Sequence, residues 1–247
     1  MRDIFEIIRA RHSSRVPFDP RRRIPDLDRR LILEAARWAP TAHNMQNFEI
    51  FVIDDEAILA AIAAIRVPPS DIFLRENYDQ LSFSEEELRR RKTGLLATLF
   101  PAAWRTPHPK PGDALAVQHS LGGTVQPCPM LLIVVTDTRK RAPASEGDVL
   151  GIMSLGCVMQ NLWLVAEALG VSMQILSALS GPQADEGLRR ILDLPAHLKV
   201  AFACRLGYPV AAPETHPRVR REVADFAHHN RYGNREHPTT GLFLLPA

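Results

Sequence analysis

The chain has 247 residues, of which 46% are hydrophobic and 23% are charged, so it can bury the core of one domain spanning residues 1–247. Its 30 basic and 28 acidic side chains nearly cancel, which gives no reason to expect nucleic acid or an anionic membrane as a partner. Three widely spaced cysteines, Cys128, Cys157 and Cys204, favour neither a disulfide framework nor a thiolate metal site. No uninterrupted apolar run approaches the roughly 18 residues of a membrane span, so we expect a cytoplasmic protein without a membrane partner.

The N-terminal part of the chain is predicted to contain three helices and a strand. In chain order these are a helix after Asp3 that stops near residues 13–17, a helix from an Asp26 N-cap to just before Pro40, a strand over 48–53 and a helix over 57–65. The second helix is expected to bury one apolar face, formed by Leu27, Leu31, Ala35 and Trp38.

The middle of the chain, about residues 67–111, is predicted to be an irregular excursion with prolines near both ends. Within it, Ser84 begins a capping-box pattern that predicts a helix. Arg75, Asn77 and Tyr78 are candidates for a lid or a substrate-selecting wall, but a solvated loop is the favoured interpretation because such loops vary.

The C-terminal half is predicted to contain further helices and strands. They are a helix over 113–122, a strand over 130–136, a helix over 148–169 ended by Gly170, a helix opened by Pro182 and a strand over 199–206. The 130–136 strand is continuously apolar and belongs in the centre of a sheet. The long helix is apolar on almost every side and is expected to be buried, with its small residues between Gly151 and Gly156 against another helix or a second subunit. Without a regular strand-helix-strand alternation, the fold class is α+β, with helices covering a mixed sheet.

Two N-terminal stretches carry groups suited to a planar, anionic ligand such as a flavin. Residues 11–15 place two arginines and a hydroxyl within five positions, and guanidinium groups pair bidentately with phosphate and with adjacent ring acceptors. Residues 40–47 place a hydroxyl and amide side chains in a turn, where backbone N–H groups can also donate. Each arginine alone could be an ordinary surface charge, and His12 and His43 are interpreted as packing residues because nothing adjacent orients them as catalytic groups.

Other common chemistries lack their motifs. The chain has no G-x-G-x-x-G, no G-x-x-x-x-G-K-[ST] and no G-x-S-x-G, so a phosphate would be held by side chains or by irregular turns. The adjacent His228 and His229 would point about 100° apart on a helix, which argues against shared metal coordination. We therefore expect no metal site.

The combined pattern resembles the nitroreductase family of FMN-dependent oxidoreductases. The matching stretches, in order over about residues 4–233, are Arg11-His12-Ser13-Ser14-Arg15, Ala39-Pro40-Thr41-Ala42-His43-Asn44-Met45-Gln46, Gln160-Asn161 with Ala168-Leu169-Gly170, and Arg218-Val219-Arg220-Arg221 with Asn230-Arg231-Tyr232-Gly233. Two positions depart from the family pattern, because Asn47-Phe48 replaces the usual Pro-Trp and Ser172 replaces a common glycine. The resemblance implies a three-layer α+β fold, with a mixed, mostly antiparallel sheet flanked by helices and a long buried central helix.

The resemblance also implies an FMN site. The implied cofactor-binding residues are Arg11, His12, Ser13, Arg15, Pro40, Thr41, Ala42, Asn44, Gln46, Leu176, Ser177, Ala178, Arg218 and Arg220. Arg11 and Ser13 would reach the phosphate and ribityl chain, joined by the two C-terminal arginines. Arg15 would stabilise negative charge at the N1 and O2 edge of the reduced ring, while no side chain is assigned as a catalytic acid or base. A backbone amide of residues 176–178 would lie near N5 and O4.

The activity implied by the resemblance is hydride transfer from NAD(P)H to flavin N5 and then to an electron-poor small molecule such as a nitroaromatic or a quinone, with ping-pong kinetics. The resemblance further implies a homodimer with FMN sites at the interface, to which residues 41–46 contribute partly from the second subunit. Two alternatives stay open. One is specialised flavin chemistry in the same fold, such as reductive dehalogenation, enoyl or dehydro-amino-acid redox, or a flavin-consuming step. The other is a non-catalytic module that binds flavin, or nucleic acid through its C-terminal arginines.

Overall fold

An antiparallel sheet of four strands, in the order β1-β2-β4-β3, organises the part of the chain that the structure describes. The computed structural model describes residues 3–67, 86, 90, 125–145, 147–211, 220 and 222–235. The strands are β1 (Phe48–Ile53), β2 (Met130–Asp137), β3 (Ser172–Leu176) and β4 (Leu198–Gly207). The helices are α1 (Ile4–Ala10), α2 (Asp26–Arg37), α3 (Glu56–Ala63), α4 (Val149–Ala168), α5 (Pro182–Leu192) and α6 (Val223–Phe226).

The chain divides into two compact units. That these units form the single domain expected from the chain length stays a prediction. The first unit consists of residues 1–70 and 115–213 and contains the sheet with helices α1 to α5; the second consists of residues 71–114 and 214–247. In the second unit, the side chains of Glu222 and Asp225 cap α6 reciprocally. His228 stacks there on Tyr232, with 4.7 Å between the ring centroids.

The sheet separates two apolar cores, which produces the three layers that the resemblance implies. Leu131, Ile133 and Val135 of β2 face one core with α3 and α5, whereas Met130, Leu132 and Val134 face the other core with α2 and α4. Successive strand side chains point to opposite faces, so a strand buried on both faces must be apolar at nearly every position. The prediction of a buried central strand at 130–136 is confirmed.

The predicted buried face of α2 is wrong. Ile32 and Ala36 are buried, whereas Leu27, Leu31 and Trp38 are exposed, Trp38 to 73%. The helix also begins one residue earlier than predicted, with Pro25 at the N-cap and Asp26 as its first residue. Apolar spacing alone did not distinguish the stripe that faces the sheet from a second apolar stripe that faces outward.

The long helix α4 is buried on one side only within the protomer. Its buried residues pack on the sheet and on α2, and the side-chain Nδ2 of Asn161 donates to the Ala35 carbonyl at 2.9 Å. Val149, Ile152 and Met153 are exposed, and a Cβ added at Gly156 would meet nothing within 4 Å in the described part. By length and composition alone α4 could span a membrane, a test that core helices of soluble proteins also pass. The predicted end at Gly170 is confirmed, since its φ of +71° is left-handed.

Strand β3 was not predicted from the sequence. All three described strand pairs are antiparallel, so the parallel pairing that a mixed sheet requires is not among the strands described here. Glu86 and Arg90 are helical, in agreement with a helix after Ser84. The other predictions for residues 68–124, including the helix over 113–122 and the roles of Arg75, Asn77 and Tyr78, lie outside the described residues.

Candidate flavin site

The N-terminal motif begins where α1 ends and lies against the C-terminal half of α4. The Arg11 guanidinium carbon is 4.3 Å from the centroid of the Trp163 ring, a cation–π arrangement. The indole Nε1 of Trp163 donates to the His12 carbonyl at 3.2 Å. One side chain of α4 therefore holds both the first arginine of the motif and the backbone next to it.

The following residues alternate between the core and the outside. Ser14 is 1% exposed, and its N–H donates to the Met173 carbonyl of β3 at 3.1 Å, whereas Ser13 is half-buried and Arg15 is exposed. Although Arg15 is exposed as a residue, partial desolvation of its guanidinium lowers the pKa of this group. It stays charged, because arginine side chains are not deprotonated in folded proteins. The motif thus presents a hydroxyl and a cation on a segment fixed to the sheet.

The His12 ring lies between the end of α1 and Glu167 of α4. Its Nδ1 lies 3.1 Å from the Ala10 carbonyl and 3.8 Å from a carboxylate oxygen of Glu167. Its Nε2 is buried and has no hydrogen-bond partner in the described part of the chain.

The second motif is a tight turn held to the N-terminal half of α4. The Ala42 N–H donates to Ser154 Oγ at 3.0 Å, and the same hydroxyl donates to the Leu150 carbonyl at 2.7 Å. Thr41 is half-buried, and its Oγ1 accepts from the Gln46 N–H at 3.1 Å, which closes the turn. The hydroxyl predicted to approach the flavin therefore also shapes the loop.

Three non-glycine residues of this turn, His43, Asn44 and Gln46, have left-handed φ values of 51°, 51° and 42°. Such conformations are strained for side chains with a Cβ and are maintained only by surrounding contacts. Here the Gln46 Nε2 donates to Asn44 Oδ1 at 3.1 Å, and the Lys140 ammonium donates to the Gln46 carbonyl at 3.0 Å. Asn44 and Gln46 are both exposed. Their amides point away from the core as a pair with a defined mutual orientation.

The third predicted region follows β3. Leu176 ends this strand and is buried, while Ser177 and Ala178 are exposed and begin a 3₁₀ helix that runs from Ser177 to Ser180. The first N–H groups of such a helix have no partner within it. The region therefore offers backbone donors, as the N5 and O4 prediction requires.

The two anchor motifs share α4 as their support but use different ends of it. Ser154 and Trp163 are nine residues apart, which is about 14 Å along a helix axis. Two cavities of the described part, about 510 Å³ next to residues 141–145 and about 240 Å³ between α2 and β2, contain none of the predicted flavin residues in their lining. Arg220 belongs to the second unit and is exposed, and Arg218 lies outside the described residues.

Sequence reasoning missed three residues that hold the motifs in place: Ser154, Lys140 and Arg205. Arg205 is the least expected, since it is 2% exposed in the interior strand β4. Its Nη2 donates to the carbonyls of Ser14 and Val16. A charged residue that follows the uncharged run from Val200 to Cys204 was the available signal, because charge is rarely buried without a structural or functional reason.

A model of the nitroreductase family matches residues 8–208. The chain belongs to the nitroreductase family. A staphylococcal relative named NADPH-dependent oxidoreductase (Staphylococcus aureus strain USA300) is 23% identical over 229 residues, which cover 93% of this chain and 74% of the relative. A protein of Vibrio harveyi named NADPH-flavin oxidoreductase is 33% identical over 94 residues, 37% of each chain. This nitroreductase-family chain thus spans most of one relative and about a third of the other.

Solved structures agree with the fold of the nitroreductase family. A nitroreductase in complex with FMN from Desulfovibrio desulfuricans superposes with a TM-score of 0.60 at 21% identity, over 94% of this chain and 99% of that one. A nitroreductase with bound FMN from Bacteroides fragilis gives 0.53 at 18% identity, over 90% and 96%. The predictions of family and of an α+β nitroreductase fold are therefore confirmed.

Proposed function

We propose that this protein is an FMN-dependent oxidoreductase that passes hydride from NAD(P)H, through flavin N5, to an electron-poor acceptor such as a nitroaromatic or a quinone. Membership of the nitroreductase family supports the flavin and the class of reaction, and both named relatives support NADPH as the reductant. The observation that carries the proposal for this chain is the fixed presentation of Ser13 and exposed Arg15 beside Arg11. Cationic and hydroxyl donors on a rigid segment are what a phosphorylated, electron-accepting ring requires.

The residues present fit FMN. Ser14 Oγ and His12 Nε2 are buried polar atoms without partners in the described part, directly beside the presented donors. We infer that Arg11, Ser13, Arg218 and Arg220 hold the phosphate and ribityl chain, where several cations offset a dianion. When bound, the flavin supplies hydride acceptance and donation at N5.

Arg15 is proposed to place its positive charge at the N1 and O2 edge of the ring, where electron density rises on reduction. A fixed charge costs no reorganisation at that moment and therefore favours the reduced ring. Thr41, Asn44 and Gln46 would orient the ring from a turn that Ser154 and Lys140 brace. An N–H of Ser177 or Ala178 would donate near N5 and O4. NAD(P)H and acceptor would use the same ring face in turn.

We further propose a homodimer with the two FMN sites at its interface. The residues of α4 that support the two anchor motifs, Ser154 and Trp163, are about 14 Å apart along the helix. This separation favours a flavin site that a second subunit completes. The packed helices α1, α2 and α4 also carry most of the exposed large apolar side chains of the described part: Ile4, Phe5, Ile8, Leu27, Leu31, Trp38, Val149, Ile152 and Met153. Such a surface is typical of an interface. We place the enzyme in the cytoplasm, since its three cysteines are free thiols, as in reducing compartments.

The test combines a visible absorption spectrum of the purified protein with anaerobic titration by NADPH. We expect a yellow protein that NADPH bleaches and that an added quinone or nitroaromatic re-oxidises. Arg11→Ala should chiefly lose flavin, while Arg15→Ala should keep part of it and be reduced more slowly, by about tenfold or more for a lost charge contact of 1.4 kcal/mol. Arg190→Ala, at an exposed position of α5, is the matched control and should behave as wild type.

A colourless protein that binds no added FMN would overturn the proposal. Bound flavin that NADPH reduces, but that neither a nitro compound nor a quinone re-oxidises, would favour specialised flavin chemistry instead. Reduction of Arg15→Ala at the wild-type rate would refute the electrostatic role of Arg15.

A further inference from the structure

A buried arginine lies beneath the exposed N-terminal motif. Arg205 of β4 stands between Leu131 of β2 and Gln174 of β3 in the sheet. Its Nε donates to Gln174 Oε1 at 2.6 Å, and its guanidinium carbon is 4.7 Å from the centroid of the Phe18 ring. Strand neighbours Cys204 and Leu206 are buried and apolar, so nothing in the strand pattern calls for a charge here.

A second nitrogen of this guanidinium, Nη2, donates to the backbone on both sides of Arg15. Nη2 donates to the Val16 carbonyl at 3.0 Å and to the Ser14 carbonyl at 3.5 Å. The Ser14 N–H is bonded in turn to the Met173 carbonyl of β3. Three hydrogen bonds therefore fix the residues before and after Arg15, while the Arg15 side chain itself is exposed.

A buried guanidinium is costly to remove from water unless its donors are matched. Within the residues described, Arg205 forms no ion pair with a carboxylate, and its partners are neutral oxygens. The planar guanidinium directs Nε at the Gln174 side chain and Nη2 at the Ser14 and Val16 carbonyls at the same time, which the single nitrogen of a lysine ammonium does not reproduce. The arrangement thus favours precise placement of a backbone segment over simple charge neutralisation.

We propose that Arg205 is a positioning residue for Arg15: by holding the carbonyls of Ser14 and Val16, it fixes the direction in which the Arg15 guanidinium meets the flavin. The proposal rests on the FMN function proposed above. A site charge acts most strongly when supporting residues lock its geometry. Arg205 never touches the cofactor and acts through Arg15 alone.

The first experiment measures the flavin midpoint potential and the FMN dissociation constant of FMN-loaded wild type, Arg205→Met and Arg205→Lys. We expect both variants to lose about tenfold in the preference for reduced over oxidised FMN, which is about 30 mV for a two-electron couple. Lysine keeps the buried charge but loses the fork. If Arg205→Lys retained the wild-type potential while Arg205→Met did not, the charge alone would act and the proposal would be overturned.

The second experiment repeats Arg205→Met in an Arg15→Ala background. An effect transmitted through Arg15 must disappear there, so the double variant should have the potential of Arg15→Ala; an undiminished shift would overturn the proposal. Arg189→Met is the matched control. This arginine of α5 also donates to two backbone carbonyls, those of Pro195 and Leu198, and its loss should lower the unfolding midpoint without moving the potential.

If Arg205→Met does not fold, Arg205→Lys and Gln174→Met carry the test. Both should accelerate hydrogen exchange at the amides of Arg15 and Val16 and shift the potential in the same direction, and wild-type exchange and potential in both would overturn the proposal. Wild type that binds no FMN would overturn the proposed function and this inference with it. If wild type binds FMN and Arg15→Ala shifts the flavin midpoint potential, but substitutions at Arg205 do not, only this inference would be overturned.

Discussion

Removing the Ser154 hydroxyl should destabilise the protein through the turn of the second motif. Ser154 is 3% exposed, and its hydroxyl oxygen accepts the hydrogen bond of the half-buried Ala42 N–H. Leaving a buried donor unsatisfied costs about 1–3 kcal/mol. Alanine has a higher helix propensity than serine, which offsets up to about 0.5 kcal/mol of this cost in α4. Water can also hydrate part of the freed amide, which lowers the cost further. We expect Ser154→Ala to lose about 1 kcal/mol, which raises the unfolding equilibrium constant roughly fivefold.

Equilibrium urea unfolding measures this loss, as a lower midpoint with an unchanged m-value. Hydrogen exchange at the Ala42 amide should accelerate, and FMN should bind more weakly because the turn loses a brace. Ser180→Ala is the control, since its exposed hydroxyl only donates to the Ser177 carbonyl, at 2.7 Å, and its loss should stay within about 0.5 kcal/mol. Equal effects of the two substitutions would refute the reasoning.

Two further predictions concern acid stability and the subunit interface. The Arg139 guanidinium holds the pKa of the Asp137 carboxyl well below its usual range, so this carboxylate adds stability above its unfolded pKa of about 3.9 and loses it as the pH falls below that value. The advantage of wild type over Asp137→Asn in unfolding free energy should therefore shrink as the pH falls from about 5 to 3 and below. A difference that stays constant over this range would contradict the prediction. Gly156→Leu should convert the proposed dimer to monomer in light scattering, whereas a persisting dimer would place the interface elsewhere.

Much of the fold could be predicted because the sequence patterns of several segments are compatible with only one type of secondary structure. Strand β1 was predicted over the residues it occupies, and the strand at β2 was predicted as central, since continuous β-branched sequences fit a sheet buried on both faces. Strand β3 was missed because Ser172–Leu176 is short and has a single β-branched residue. The buried face of α2 was wrong because Leu27 and Leu31 form an apolar stripe that the protomer leaves exposed.

The candidate site also contains residues that could be predicted from the sequence and residues that could not. Residues 11–15 and 40–47 were found because their side-chain chemistry is dense and local. Arg205 and Lys140 were not, because each acts on a segment more than 90 residues away in sequence, and such contacts follow only from strand register and turn geometry. The positive φ value of Gln46 was equally invisible, since glutamine does not signal a left-handed backbone.

The hydrogen bond from Ser14 to Met173 has a consequence for the chain as a whole. Strand β3 is an outer strand of the described sheet, and outer strands with open backbone groups invite association with other chains. The N-terminal segment that is proposed to hold the cofactor covers part of this edge of β3. Truncation of the N-terminus beyond Ser14 should therefore remove part of the proposed flavin site and also expose the edge of β3. We expect truncated fragments to lose both flavin binding and solubility.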